Sequence, residues 1–313
     1  MGASIMIQQP VAWLVALLLL VAPIRAIGQM TDRLLLPNGI LVEAGDARFL
    51  LVDVARESAG ILRTARTLDR LSGVPLPARN RQMLAGVFSA AWLSPPPGQA
   101  VPSKVPFSLQ RYLHSLASSY VTTLATPQVM RRLAARLRSL GADESWVRFS
   151  DAMALDEDGH EDELVEDLKS LGLDAAAFLG AVQPPSAVVL VAYFNRLVDS
   201  DEPIAAIGYA YALQRSSLLL SREIVERIEA LVPPGINATR TLRVHSAVGG
   251  NDKHARETED FIATLPPAAR RAVALALFET ILLMRSQDDY PGDAVVDSLS
   301  ARFTAKVPAG RGR

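Results

Sequence analysis

The chain contains no cysteine. That absence removes disulfides, thiolate zinc sites, iron–sulfur clusters and any thiol nucleophile, and leaves the redox compartment open. An excess of either charge is missing too: 32 Lys+Arg against 33 Asp+Glu leave a formal net charge of −1. Proteins that grip phosphate backbones carry a basic surplus, so no nucleic-acid partner is expected. With only four histidines, each can be weighed separately. What is abundant is apolar surface. Apolar residues make up 50% and charged residues 21% of 313 residues, enough for one large domain or a domain with an extension, and incompatible with a disordered chain.

One run alone suggests a membrane. Val11–Ala22 is twelve apolar residues closed by Pro23. As a helix it rises ~18 Å, short of a ~30 Å hydrocarbon core. The length suits a signal-peptide core, but no Lys or Arg precedes it and Ile24-Arg25-Ala26 is a poor cleavage stretch. Three readings stand: a non-structural or mis-assigned stretch with Met30 as the true start, an export or anchoring segment, and a buried helix. Residues 1–29 are therefore set apart. A cytoplasmic protein is expected, with membrane attachment only if this segment is an anchor.

The remainder reads as helix. Residues 30–105 form an expected N-terminal helical extension and linker. Within it Phe49–Leu71 places Leu50, Val54, Ile61 and Leu68 at helical steps before Gly73, and Arg79–Leu93 is a second helix. Ser94-Pro-Pro-Pro-Gly and Pro102–Pro106 make a stiff connector and the best boundary signal. Residues 106–313 then carry roughly seven or eight helices. Phe107–Leu124 is followed by Thr126-Pro127, an N-cap with proline at the first helical position, and both Ser-Leu-Gly stretches, at 139–141 and 170–172, read as helix C-caps. Further helices are expected over Asp143–Leu171 (interrupted near Gly159), Ser186–Leu197, Ile204–Leu220, Arg222–Leu231, from Asn237 or Thr239 to Val248, Asp252–Leu265 and Ala268–Arg285. The expected class is all-α.

Two clusters carry chemistry. Glu157 and His160 (LDEDGHEDELVEDL) stand three residues apart, a spacing that puts both on one face of a helix, and a carboxylate with an imidazole suits iron, manganese or zinc. The plain alternative is a solvated acidic face, since Asp156–Asp167 holds eight Asp/Glu. The second cluster, His245-Ser-Ala-Val-Gly-Gly-Asn-Asp252-Lys-His254, has two histidines and an aspartate across a Gly-Gly break. A bend there lets His245, Asp252 and His254 converge; otherwise Asn251 or Asp252 merely caps a helix. His114 (RYLHSL) shares a stripe with Leu113, Leu116 and Tyr120 and reads as a packed core histidine. Tyr209 and Tyr211 read as core packing, and Lys253 and Arg256 as surface charges.

Taken together the two clusters resemble the haem-oxygenase-like helical superfamily, specifically its non-haem iron branch of diiron oxidases and oxygenases. Glu157 and His160 match its Glu-x-x-His element, and Leu168–Asp174 (LKSLGLD) is similar to the usual continuation. Pro203–Leu213 (PIAAIGYAYAL) resembles its Pro-x-x-x-x-Gly-Tyr helix, and His245, Asp252 and His254 match the last element. The likeness covers about Phe107 to Arg285. It implies a haem-oxygenase-like bundle holding one or two Fe(II) ions, or Mn, on Glu157, His160, His245, Asp252 and His254. It also implies O₂ and a small organic substrate, aliphatic or amino-acid-derived, an electron donor, and oxidative C–C cleavage, desaturation or N-oxygenation. Ile207, Leu213 and Ala247 would line the substrate cavity. Two departures stand out. Where the family's middle helix supplies a carboxylate this chain has Gln214, 54 residues after His160 and 31 before His245. A neutral amide binds iron more weakly and offsets no charge, which favours a mononuclear site or a non-catalytic scaffold with a degenerate one. The His245-to-Asp252 spacing is also wider, a change that a local bulge can absorb. The absence of cysteine excludes a thiaminase-like nucleophile, and only His114 is offered as a haem ligand. The extension either caps this domain or forms a homodimer contact.

Overall fold

A computed structural model describes residues 32–45, 49–54, 79–94, 108–246, 252–286 and 289–304. The apolar run 11–22, the connector 95–107 and Ala247 lie outside these residues.

The first element is not helical. β1 (Asp32–Leu35), β2 (Ile40–Ala44) and β3 (Phe49–Asp53) form an antiparallel sheet in that order. Pro37-Asn38-Gly39 closes the first hairpin: Gly39 adopts φ +82°, and the Asn38 side chain accepts from the Ile40 amide at 3.2 Å. Leu34 pairs with Val42 and Val42 with Leu51, so one buried stripe runs across all three strands. The helical reading of Phe49–Leu71 is thus corrected at residues 49–53; residues 55–78 lie outside the described part. The four-residue apolar run Phe49–Val52 fits either period, and its pairing with β2 decides for strand.

Helix α1 (Arg79–Leu93) has the expected bounds and lies on the sheet. A Cβ at Gly86 would stand 2.5 Å from Val42 Cγ1, so glycine permits the close seating. α1 also packs against the long C-terminal helix α11, and its buried residues join the same apolar core as the bundle.

Helix α2 (Leu109–Ser139) is one element of 31 residues, not two. Thr126-Pro127 does not start a new helix: proline removes one amide, and the Thr126 hydroxyl donates to the Thr122 carbonyl at 2.8 Å. Both Ser-Leu-Gly stretches end helices as expected. Gly141 (φ +66°) and Gly172 (φ +79°) donate to Arg138 and Lys169, and the following Ala142 and Leu173 reach back to Leu137 and Leu168, the paired bonds of a Schellman cap. Between them lie α3 (Glu144–Asp156) and α4 (Glu161–Ser170), separated by the interruption expected near Gly159. Then come α5 (Ala175–Ala181), α6 (Pro185–Val198), and a short 3-10 turn, Pro203–Ala205, leading into α7 (Ala206–Ser217). After these follow α8 (Arg222–Glu229), α9 (Arg240–Val244), α10 (Asp252–Thr264), α11 (Pro267–Ser286) and α12 (Asp293–Arg302).

α2 spans two cores. Its C-terminal half packs Val129, Met130, Leu133 and Leu137 with α1, α3, α6, α7, α11 and the sheet. Its N-terminal half packs Tyr112, Leu113 and Leu116 with α4, α5, α8 and α12. The tightest crossing lies where α7 meets α11: a Cβ on Gly208 would sit 2.1 Å from the Val273 carbonyl oxygen. Glycine in the Gly208-Tyr209 pair is therefore a packing requirement, and Tyr209 next to it stacks on Phe194 with centroids 4.1 Å apart. Among the described residues no single helix is long and apolar enough to cross a membrane; the bent pair α5–α6 passes only by length and composition.

Candidate functional site

The site starts with a broken helix. α3 ends at Asp156, Glu157 caps it through its own amide to Met153, and Gly159 at φ +88° turns the chain. His160 stands at the N-cap of α4, without a capping bond of its own. Glu157 and His160 therefore meet across a turn rather than along one helical face, with Glu157 Oε2 3.2 Å from His160 Nδ1. Much of the acidic run has separate work. Glu161, Asp162 and Glu163 occupy the first turn of α4, where negative charge suits the helix dipole; Asp158 pairs with Arg131 and Glu166 with Lys169.

Asp167 of that run is fully buried and fastens the next element. Its Oδ1 accepts from the Arg240 amide (3.0 Å) and the Arg240 guanidinium (3.1 Å), and its Oδ2 from the Thr241 amide (3.1 Å). One carboxylate thus satisfies the otherwise open amides at the start of α9 and docks that five-residue helix on α4. His245 caps the far end of α9, which brings its ring edge-on to His160, centroids 4.8 Å apart.

The third wall is α10, with His254 in its first turn. Glu157, Gln214 and His254 together line a cavity of about 370 Å³. Asp156, Glu257 and Asp260 add further carboxylates to its walls, and Phe149 and Phe261, stacked 3.8 Å apart, form a flat apolar side with Met153. Gln214, buried on α7, accepts from the Thr258 hydroxyl at 2.9 Å.

Charge is distributed accordingly. Burial pushes Glu157 up, but the bond to His160 and the nearby His245 and His254 outweigh it and hold the carboxyl below its usual range. His160 is raised, by the Glu157 bond first and by Glu163 and Glu161 further off, against the opposing effect of burial. His245 is lowered, chiefly by burial and then by His160 beside it. An ionised Glu157 accepts only, so it fixes the His160 proton on Nδ1 and leaves Nε2 as the ring's available lone pair when neutral.

Of the residues singled out in the sequence, Glu157, His160, Gln214, His245 and His254 come into one neighbourhood. Asp252 begins α10, and its side chain lies outside the described residues. The donor types suit a hard or borderline divalent cation. In their present arrangement, no three His, Asp or Glu side chains among the described residues are grouped to hold a metal ion. His114 packs as expected, its Nε2 3.7 Å from Asp289 and its ring edge-on to Tyr290. Tyr209 and Tyr211 are core residues, Tyr211 donating to Glu259 at 2.6 Å. Lys253 is exposed beside Glu257. Ile207 is fully buried in the core, and neither it nor Leu213 is among the residues lining the cavity; the apolar lining comes from Phe149, Met153 and Phe261 instead. Sequence reading missed several contributors beyond that lining. Asp167 gave no local signal, while Glu163 and Glu257 each lie three residues after a site histidine, a spacing that could have flagged them.

A solved structure from Shewanella denitrificans OS217, described as a domain of unknown function with a heme oxygenase-like fold, matches 77% of this chain and 90% of its own length. The TM-score is 0.51 and the identity 15%. No family model and no curated protein matches the chain. The protein has a haem-oxygenase-like, predominantly helical fold.

Proposed function

We propose that the protein is a non-haem iron enzyme that oxidises a small organic substrate with O₂. The single observation that carries this reading is the convergence of Glu157, His160, His245 and His254, drawn from three separate segments, beside one cavity. Glu157, His160, His245 and His254 would hold Fe(II), or Mn in its place, with Asp252 as a further ligand or orienter. When bound, that ion supplies one-electron chemistry with O₂. The chain's own residues do the rest. Glu157 orients the His160 ring through Nδ1; His245 is kept neutral by burial, the state in which an imidazole binds a cation. Gln214, its oxygen held by Thr258, gives the cavity a neutral wall where a carboxylate would add charge, which favours one metal over two. The Phe149–Phe261 face excludes water and receives an apolar body. Asp260 is already paired with Arg81 and Glu257 stands 3.6 Å from Lys253, which leaves the Asp156 carboxylate as the wall group that suits an amine-bearing, amino-acid-derived substrate.

A second reading is a binding protein that keeps the fold without the chemistry. The Gln214–Thr258 bond and the lack of a three-donor grouping among the described residues favour it. Anaerobic loading with Fe(II), followed by iron counting and an O₂-dependent absorbance change, separates the two. The iron reading expects about one ion per chain, lost in H245A/H254A. Retention no better than in that double variant would leave the scaffold.

A further inference from the structure

A second cavity, of about 250 Å³, lies where β1, α1, α10 and α11 meet, and its chemistry is the reverse of the first. Three guanidinium groups stand on its walls: Arg33, Arg270 and Arg271. Arg33 is balanced by Glu43 at 2.8 Å. Arg270 donates to the neutral Asn80 side chain at 3.1 Å, and Arg271 is exposed with no carboxylate partner among the described residues. Among the described residues none that lines the cavity is acidic, so the guanidinium groups of Arg270 and Arg271 meet no carboxylate there. The floor is apolar, made by Leu34, Leu84, Ile262 and Ala274, with Met83 on the wall.

The geometry points to a binding site for a small amphipathic oxyanion, a carboxylate or phosphate monoester carrying a compact apolar body. Planar guanidinium groups match carboxylate and phosphate oxygens in paired hydrogen bonds, and the floor takes the apolar part out of water. The volume lies just under the ~300 Å³ at which ligand pockets usually begin, which limits the occupant to about the size of one ring. A methionine thioether on the wall makes favourable contact with an aromatic edge. The site does not depend on iron at the other cavity.

Calorimetric titration of the full chain, with a chelator present, tests this using benzoate and phenyl phosphate. Whichever of the two binds more tightly identifies the headgroup. Acetate, inorganic phosphate and neutral benzamide bind at least tenfold more weakly if both anion and apolar body are read. R270A/R271A weakens binding at least tenfold, while H254A leaves it unchanged. R271E changes an exposed side chain and keeps the test decisive should the double variant fail to fold. Failure of both probes to bind, equal binding of benzamide, or undiminished affinity in R271E would overturn the site.

Discussion

The two cavities differ in charge far more than in size. Among the described residues, the cavity at α3, α7 and α10 is walled by four carboxylates and a histidine without Lys or Arg, whereas that at β1, α1 and α11 is walled by three arginines without an acid. Helix α10 contributes to both, and both have apolar sides. The net charge of −1 therefore conceals a molecule with two oppositely charged sites, and whole-chain charge says little about what such a protein binds. Under the proposed reading one cavity takes a cation and an amine-bearing substrate, and the other an anion.

The largest separation of the two is expected from Asp167→Ala. Three hydrogen bonds into α9 disappear and buried amides are left without a partner, a loss of about 3 kcal/mol in urea unfolding. Iron retention should fall with it, because His245 sits at the end of α9, while benzoate binding at the arginines stays intact. Loss of benzoate binding at a temperature where the variant is folded would show the cavities to be coupled. Gly208→Ala acts on the frame of both instead. The added methyl meets the Val273 carbonyl, so α7 must move off α11 at a cost of about 2 kcal/mol, read as a lower Tm. An unshifted Tm would mean that this crossing relaxes freely.

Acidity should distinguish the cavities next. The His160 pKa is raised, so its proton must leave before the ring can bind a cation. Iron affinity is expected to drop about tenfold per pH unit once the pH is below that raised value, one proton being displaced per ion. Benzoate binding by arginines, with both partners charged throughout, is flat over the same range. Stability of the metal-free protein runs the other way. The His160–Glu157 pair contributes fully below the ordinary histidine pKa, provided Glu157 is ionised, and this contribution is lost as pH rises through the raised His160 value. Glu157→Gln should lower the His160 pKa, measurable by NMR of the ring protons. The smallest effect is expected from Thr258→Val, which removes one bond to Gln214 for about 1 kcal/mol and alters only the acidic cavity.

What sequence could reveal follows the range of the interaction involved. Helix ends written in local chemistry were legible: the Ser-Leu-Gly caps and Ser221, whose hydroxyl accepts from the Ile224 amide, hold where the residues put them. Thr126-Pro127 misled because an N-cap pair also survives inside a long helix when tertiary packing on both halves of α2 holds it. The sheet was missed although Asn38-Gly39 is a hairpin signal, because residues 49–53 fit a helix until β2 pairs with them. At the site, the spacing of Glu157 and His160 was legible and their support was not: they meet across the Gly159 turn. Asp167, the residue that seats His245, acts on residues 73 and 74 positions away. Apolar lining was misplaced for the same reason, since periodicity marks Ile207 as buried without saying against what.

The central claim is that Glu157, His160, His245 and His254 share one cation. Crystals of the full chain grown anaerobically with Fe(II), measured at the iron absorption edge, test it most directly. The account predicts one anomalous peak per chain, surrounded by those four side chains. A peak on the acidic rim alone, or none where iron counting shows the metal bound, would contradict it.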